Sequence, residues 1–137
     1  MPNVQPLYSV AARCETLETG STHALVLIVK QLLRVFADAF GDWDAYQSAV
    51  PQDEYLRSLL AKPYFIVLVA VASDKVVGGL AAYVLEKFEQ ERREIYSYDL
   101  AVQELHRRKG IATKLINEIR HVAHERANDC RSVARIR

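Results

Sequence analysis

Residues Tyr64 to Ala72 read YFIVLVAVA, nine residues in which the Tyr64 hydroxyl is the single polar side-chain group. β-Branched residues stand at Ile66, Val67, Val69 and Val71, and the run is bounded by Pro63 and by Ser73-Asp74-Lys75, so a strand is favoured. Strand side chains alternate between faces, and here both faces are apolar. Such a strand has to be covered on both sides.

Ser73-Asp74-Lys75 turns the chain, and Val76 to Glu86, VVGGLAAYVLE, returns it as an antiparallel partner. After the polar loop KFEQERRE, Ile95 to Val102 reads as another strand. Upstream, Tyr8 to Arg13 is short and β-compatible, and ETLETGST supplies turn and capping residues. Ser21 or Thr22 caps a helix whose apolar positions Ala24, Leu25, Ile28, Leu32, Val35 and Phe36 recur at helical steps, ending near Phe40-Gly41. GDWDAYQSAVPQ reads as a loop, and Asp53 as the cap of a short helix through Leu60, stopped by Pro63. From about Lys109 to Ala127, the residues Ile111, Leu115, Ile119 and Val122 give a helix with one apolar stripe. SVARI is compatible with a short last strand. This order predicts one α+β domain over residues 1–137, built on a mainly antiparallel sheet.

No apolar run reaches about 18 residues, which excludes a membrane span, and MPNVQPLYSV lacks the charged-then-apolar plan of a secretory signal. Cys14 and Cys130 lack CxxC spacing, which fits unpaired thiols in a cytoplasm rather than a disulfide or a metal site. The net charge of +1 conceals −5 over residues 1–105 and +6 over residues 106–137. Such a chain is suited to holding a cationic ligand beside an anionic one.

The basic end contains LHRRKGIATKLI, Leu105 to Ile116, directly after the strand YDLAV. The first turn of a helix has unpaired N–H groups and a positive dipole end, hence an affinity for anions. Gly110 leaves room for a phosphate to approach, and Arg107, Arg108 and Lys109 add charge at the same entrance. There is no GxxxxGK[ST] and no GxGxxG, so the two common nucleotide motifs are absent.

R-x-x-G-x-A after a strand, in this element order, resembles the acyl-CoA-binding motif of the GCN5-related N-acetyltransferase superfamily. The longer stretch Val76 to Ile116, and KFEQ to GIAT above all, is similar to the type I aminoglycoside 3-N-acetyltransferases, the gentamicin-resistance enzymes. Weaker similarity reaches back through FADAFGD and DEYLRSLL. The resemblance implies the superfamily's fold, a mainly antiparallel mixed sheet flanked by helices. It also implies acetyl-CoA as co-substrate, with no metal, and a small cationic aminoglycoside or amine as acceptor.

Residue by residue, the resemblance puts the pyrophosphate on the main-chain amides of Arg108, Lys109, Gly110, Ile111, Ala112 and Thr113, with Arg107 opening the motif. Leu100, Ala101 and Val102 correspond to the strand that pairs with the pantetheine arm, and the Val102 N–H to the donor for the thioester carbonyl. An acceptor amine is protonated near neutral pH, so a carboxylate or a water wire has to take its proton. Asp99 is the first candidate and Glu94 the second. In an unbroken strand these two point to opposite faces, a parity that a bulge changes.

A polycationic acceptor calls for an acidic rim, drawn from Asp42, Asp44, Asp53, Glu54, Glu86, Glu89 and Glu91, with Trp43 and Tyr46 as sugar-stacking surfaces. Tyr96 and Tyr98 alternate on one strand face, where core packing is expected. His121 and His124 do not form HExxH and are expected to face solvent. His23 and His106 have no partner legible in the sequence. The basic end lacks interleaved aromatics, so nucleic acid is not expected, nor is a membrane.

Members of the superfamily continue past the motif helix with a fifth strand, a fourth helix and two more strands. NDCRSVARIR offers residues for the fifth strand alone, so the C-terminal helix and strands are expected to be lacking, and a homo-oligomer is expected to cover the edge. Two alternatives accompany the aminoglycoside reading: an acetyltransferase for another small amine such as a polyamine, and an inactive acetyl-CoA-binding or interaction fragment.

Overall fold

The computed structural model describes residues 5–7, 21–126 and 132–136. Its sheet has five strands in sequence order: β1 (Gln5–Leu7), β2 (Phe65–Ala72), β3 (Lys75–Lys87), β4 (Arg92–Val102) and β5 (Ser132–Ile136). The first four pair antiparallel, whereas β4 and β5 pair parallel. The helices are α1 (Ser21–Phe40), α2 (Trp43–Gln47), α3 (Asp53–Leu60) and α4 (Ile111–Glu125), with a 3₁₀ turn at Glu104–His106. The expected strand at Tyr8 to Arg13, and Cys14 and Cys130, lie outside the described residues. Among the described residues, no helix is long and apolar enough to cross a membrane.

β2 carries out what its sequence requires. Phe65, Val67 and Val69 pack with Val29, Leu32 and Phe36 of α1 and with Leu56 and Leu60 of α3. Ile66, Leu68 and Ala70 pack on the other side with Ile111, Leu115, Ile119 and Val122 of α4. Each parity of the strand thus has its own core. Gly79 on β3 allows α1 to approach the sheet: a Cβ there would lie 2.5 Å from Leu32 Cδ1 and 2.7 Å from the Leu68 carbonyl oxygen.

The β2–β3 hairpin turns through Ser73 and Asp74, both at positive φ (50° and 61°), as a two-residue turn compatible with strand twist requires. Two helix starts differ from what the local sequence suggests. The segment GDWDAYQSAVPQ is not wholly a loop: Asp42 caps α2, its side chain accepting from the Ala45 N–H at 3.1 Å. Asp53 is the first residue of α3 rather than its cap, a position taken by Gln52 without a side-chain bond.

Two irregularities position the site. Ala81 pairs with Asp99 and Ala82 with Ser97, so Tyr98 is an extra residue, a β-bulge in β4. The β4–β5 ladder runs from Arg93 with Ser132 to Ser97 with Ile136 and goes no further. Beyond Ser97, β4 therefore has β3 on one edge and no strand partner on the other among the described residues.

Candidate active site

The end of β4 and the start of α4 form the walls of a cavity of about 420 Å³. Leu100, Ala101 and Val102 line it from the strand, Arg107, Arg108, Gly110, Ile111, Ala112 and Thr113 from the loop and first helical turn, and Ala39 and Phe40 from the end of α1. Every one of the proposed cofactor-binding positions except Lys109 therefore lines one cavity. Lys109 is exposed in the same loop.

The loop is shaped for an anion. Arg108 (φ 62°) and Gly110 (φ 80°) are both left-handed, and they flank Lys109. Turns of this kind gather successive N–H groups on one side. The first helical bond here is Lys114 N–H to the Gly110 carbonyl, at 3.0 Å, so the N–H groups of Ile111, Ala112 and Thr113 precede it and have no partner within the helix. The left-handed Gly110 is also why α4 begins at Ile111 instead of Lys109. Arg107 Nε donates to the Val102 carbonyl at 2.9 Å and so ties the loop to the strand end. His106 lines the cavity with its Nδ1 buried.

The Gln103 N–H donates to the Val77 carbonyl at 2.7 Å, toward β3. N–H groups alternate sides along an extended strand, so the Val102 N–H faces the opposite, open edge. The open edge of β4 and the cavity thus share the end of the strand.

On the α1 side of the sheet, a second pocket of about 450 Å³ is lined by Tyr64, Ala81, Tyr83, Val84, Leu85, Tyr98 and Asp99. Asp99 accepts a hydrogen bond from the Tyr46 hydroxyl at 3.1 Å. The bulge restores to Asp99 the parity of Glu94, Tyr96 and Tyr98, so the opposite-face arrangement expected of an unbroken strand does not occur. Glu94 nevertheless lines neither cavity. It is 3% exposed and is bonded to Arg92 Nη2 at 2.8 Å.

The acidic rim is dispersed. Asp42 caps α2, Asp53 pairs with Lys30, and Glu89 lies within 3.6 Å of Lys87 and 3.7 Å of Arg92. Glu86 lines a different pocket, on the α4 side, with Arg93 and Arg126. None of the seven expected rim carboxylates lines the pocket beside Asp99. Tyr46 does not stand as an open stacking surface, because its ring packs on Phe36 and Phe40 and its hydroxyl holds Asp99. Trp43 remains half-exposed. Tyr98, expected in the core, is 43% exposed as a wall of the pocket. Tyr64 and Tyr83, which the sequence did not mark as site residues, complete that wall. His121 faces solvent beside Glu125 at 3.0 Å, and His124 is exposed.

The acetyltransferase (GNAT) family model matches residues 29–136. Among solved structures, the chain is similar to aminoglycoside acetyltransferase HMB0005 from an uncultured soil metagenomic sample. The two share 44% identity over 85% of this chain and 74% of that one, with a TM-score of 0.75. It is also similar to aminoglycoside acetyltransferase meta-AAC0020 from an uncultured soil metagenomic sample, in complex with sisomicin, at 33% identity over 82% of this chain and 70% of that one, TM-score 0.71. A ribosomal-protein-alanine N-acetyltransferase from Brucella melitensis biovar Abortus 2308 is 25% identical over 82% and 73% of the two chains, TM-score 0.59. No curated protein matches the chain. With a family match across most of its length and an amide-lined cavity at the R-x-x-G-x-A loop, this chain belongs to the GNAT family of acetyltransferases.

Proposed function

We propose that the chain transfers the acetyl group of acetyl-CoA to the 3-amino group of an aminoglycoside, by direct attack and without a covalent enzyme intermediate. The observation that carries this reading is the position of Asp99. It lies on β4 immediately before the cavity-lining residues Leu100 to Val102 and itself lines the tyrosine-walled pocket. The acceptor class is supported by likeness to two aminoglycoside acetyltransferases, at 44% and 33% identity.

The residues present fit acetyl-CoA. The N–H groups of Ile111, Ala112 and Thr113, with Arg108 and Lys109 beside them, suit a pyrophosphate. The open edge of β4 after Ser97 suits an extended, amide-bearing arm. When bound there, acetyl-CoA supplies an acetyl group activated as a thioester.

The chain's own residues then have separable tasks. Asp99 accepts the proton that the acceptor ammonium has to lose before its nitrogen lone pair can attack. The Val102 N–H donates to the acetyl carbonyl oxygen as negative charge grows on it. Arg107 fixes the Val102 carbonyl, and with it the strand end. The C–S bond breaks after the C–N bond forms, and the second proton, which the acylated nitrogen gives up, goes to the leaving sulfur.

Thiol release measured with acetyl-CoA and sisomicin, followed by NMR of the product to locate the acetylated nitrogen, tests the reading. Asp99→Asn is expected to lower turnover about 100-fold or more, the usual weight of a general base, with acetyl-CoA affinity held. Retained turnover would remove Asp99 as the base. Absence of thiol release across a panel of aminoglycosides would remove the acceptor class.

A further inference from the structure

We infer that the pocket beside Asp99 is a tyrosine cage for a protonated amine, in which the rings of Tyr83 and Tyr98, flanked by Tyr64, hold the acceptor's positive charge. The inference rests on the acetyltransferase reading for the identity of the acceptor, but the cage itself stands on the pocket's own geometry.

A polycation has to be met by negative potential, and the carboxylates that the sequence offers for this purpose are elsewhere. Asp53 and Glu89 are ion-paired, Asp42 caps a helix, and Glu86 lies in the pocket on the α4 side. Asp99 is the one carboxylate that lines this pocket, and three tyrosines surround it. Aromatic ring faces carry negative potential and attract ammonium groups within about 6 Å of the ring centre.

The ring arrangement suits that use. Tyr83 and Tyr98 meet edge to face, with centroids 5.3 Å apart and planes at 90°, and Tyr98 meets Tyr96 at 4.8 Å and 63°. Stacked rings would cover one another's faces, whereas an edge-to-face corner leaves at least one face of each uncovered by the other. Tyr83 also packs on Phe65, at 5.2 Å, while Tyr98 and Tyr64 are 43% and 44% exposed. The phenol of Tyr83 is pushed above its ordinary value by burial first, and then by the nearby Tyr55, Asp99, Tyr98 and Tyr64. Tyr83 therefore stays a neutral ring in the pocket. Neutral rings hold a cation without placing a second negative charge next to the base, where two carboxylates would share a proton.

The test uses the intact chain and tetramethylammonium as probe, a cation that cannot be acetylated. Its methyl proton resonance is expected to move upfield saturably on addition of the protein and to return on addition of sisomicin. Tyr98→Phe is expected to keep the shift. Tyr98→Leu and Tyr83→Leu are expected to weaken probe affinity about tenfold and to raise the KM for sisomicin by a similar factor. Retained acetyl-CoA binding serves as the folding control, and Tyr98, the more exposed ring, is the variant to read if Tyr83→Leu fails that control. Absence of a shift with the wild type, or an equal shift with Tyr98→Leu, overturns the cage. A wild type that binds the probe but does not acetylate sisomicin keeps the cage and removes the acceptor reading. Acetylation of sisomicin with KM unchanged in Tyr98→Leu does the reverse.

Discussion

The Tyr46 hydroxyl donates to the Asp99 carboxylate at 3.1 Å, a contact between residues 53 apart in sequence. Asp42 starts the short helix that carries Tyr46, and the rings of Phe36 and Phe40, at 5.9 and 5.8 Å, fix the angle at which the phenol arrives. A hydrogen bond to a charged group contributes about 1.5–3 kcal/mol. Tyr46→Phe keeps the ring packing and removes the donor. Steady-state kinetics are expected to give a kcat lower by about tenfold, with acetyl-CoA affinity unchanged. Equal losses in both would mean a damaged fold instead of a misaligned carboxylate.

Gly79 sets the distance between α1 and the sheet. A methyl group at this position would stand 2.7 Å from the backbone oxygen of Leu68 as well as 2.5 Å from Leu32, and the backbone oxygen cannot rotate away. Gly79→Ala is expected to destabilise the protein by about 1–3 kcal/mol, the ordinary cost of overpacking. Denaturant unfolding measures it, and a change below about 0.5 kcal/mol would contradict the close approach.

Arg107 links the loop before α4 to the end of β4 through the Val102 carbonyl. Arg107→Lys keeps the charge and loses the Nε donor. Calorimetry is expected to find acetyl-CoA bound about tenfold more weakly, the equivalent of roughly 1.4 kcal/mol. Full affinity in the lysine variant would reduce Arg107 to a point charge.

Tyr83 predicts an alkaline dependence of stability. Burial, and secondarily Tyr55 and Asp99, raise its phenol above 10.0, so the folded chain holds this proton more tightly than the unfolded one. The associated stability is complete below the unfolded value and is lost as pH rises through the higher folded value. Urea midpoints at about pH 9 and about pH 11 are expected to fall further for the wild type than for Tyr83→Phe. Equal falls would assign the loss to other groups.

Much of this architecture was legible in local pattern. The two-faced apolar run of β2, the helical spacing in α1 and α4 and the Ser73-Asp74 turn each correspond to a short-range physical requirement, and the structure meets them. The basic loop was legible for the same reason, since strand, glycine and helix start are contiguous. The tyrosine-walled pocket beside Asp99 was not. Tyr64 lies in the turn before β2, Tyr83 on β3 and Tyr98 on β4, and the bulge that brings Asp99 to their face depends on pairing with Ala81 and Ala82, which no local spacing encodes. α2 is too short for apolar periodicity, and its one signal was the capping aspartate Asp42. The acidic loop residues misled because their charges are matched within the chain, Asp53 by Lys30 and Glu89 by Lys87 and Arg92.

Calorimetric titration of the chain with acetyl-CoA is the decisive measurement, because the proposed transfer requires acetyl-CoA in the cavity lined by residues from Leu100 to Thr113. One site per chain is expected, with a Kd in the micromolar range, roughly −8 kcal/mol, lost when Gly110 is replaced by a residue that cannot hold φ 80° at low cost. No heat of binding at high micromolar acetyl-CoA, with the wild-type chain folded, would contradict it.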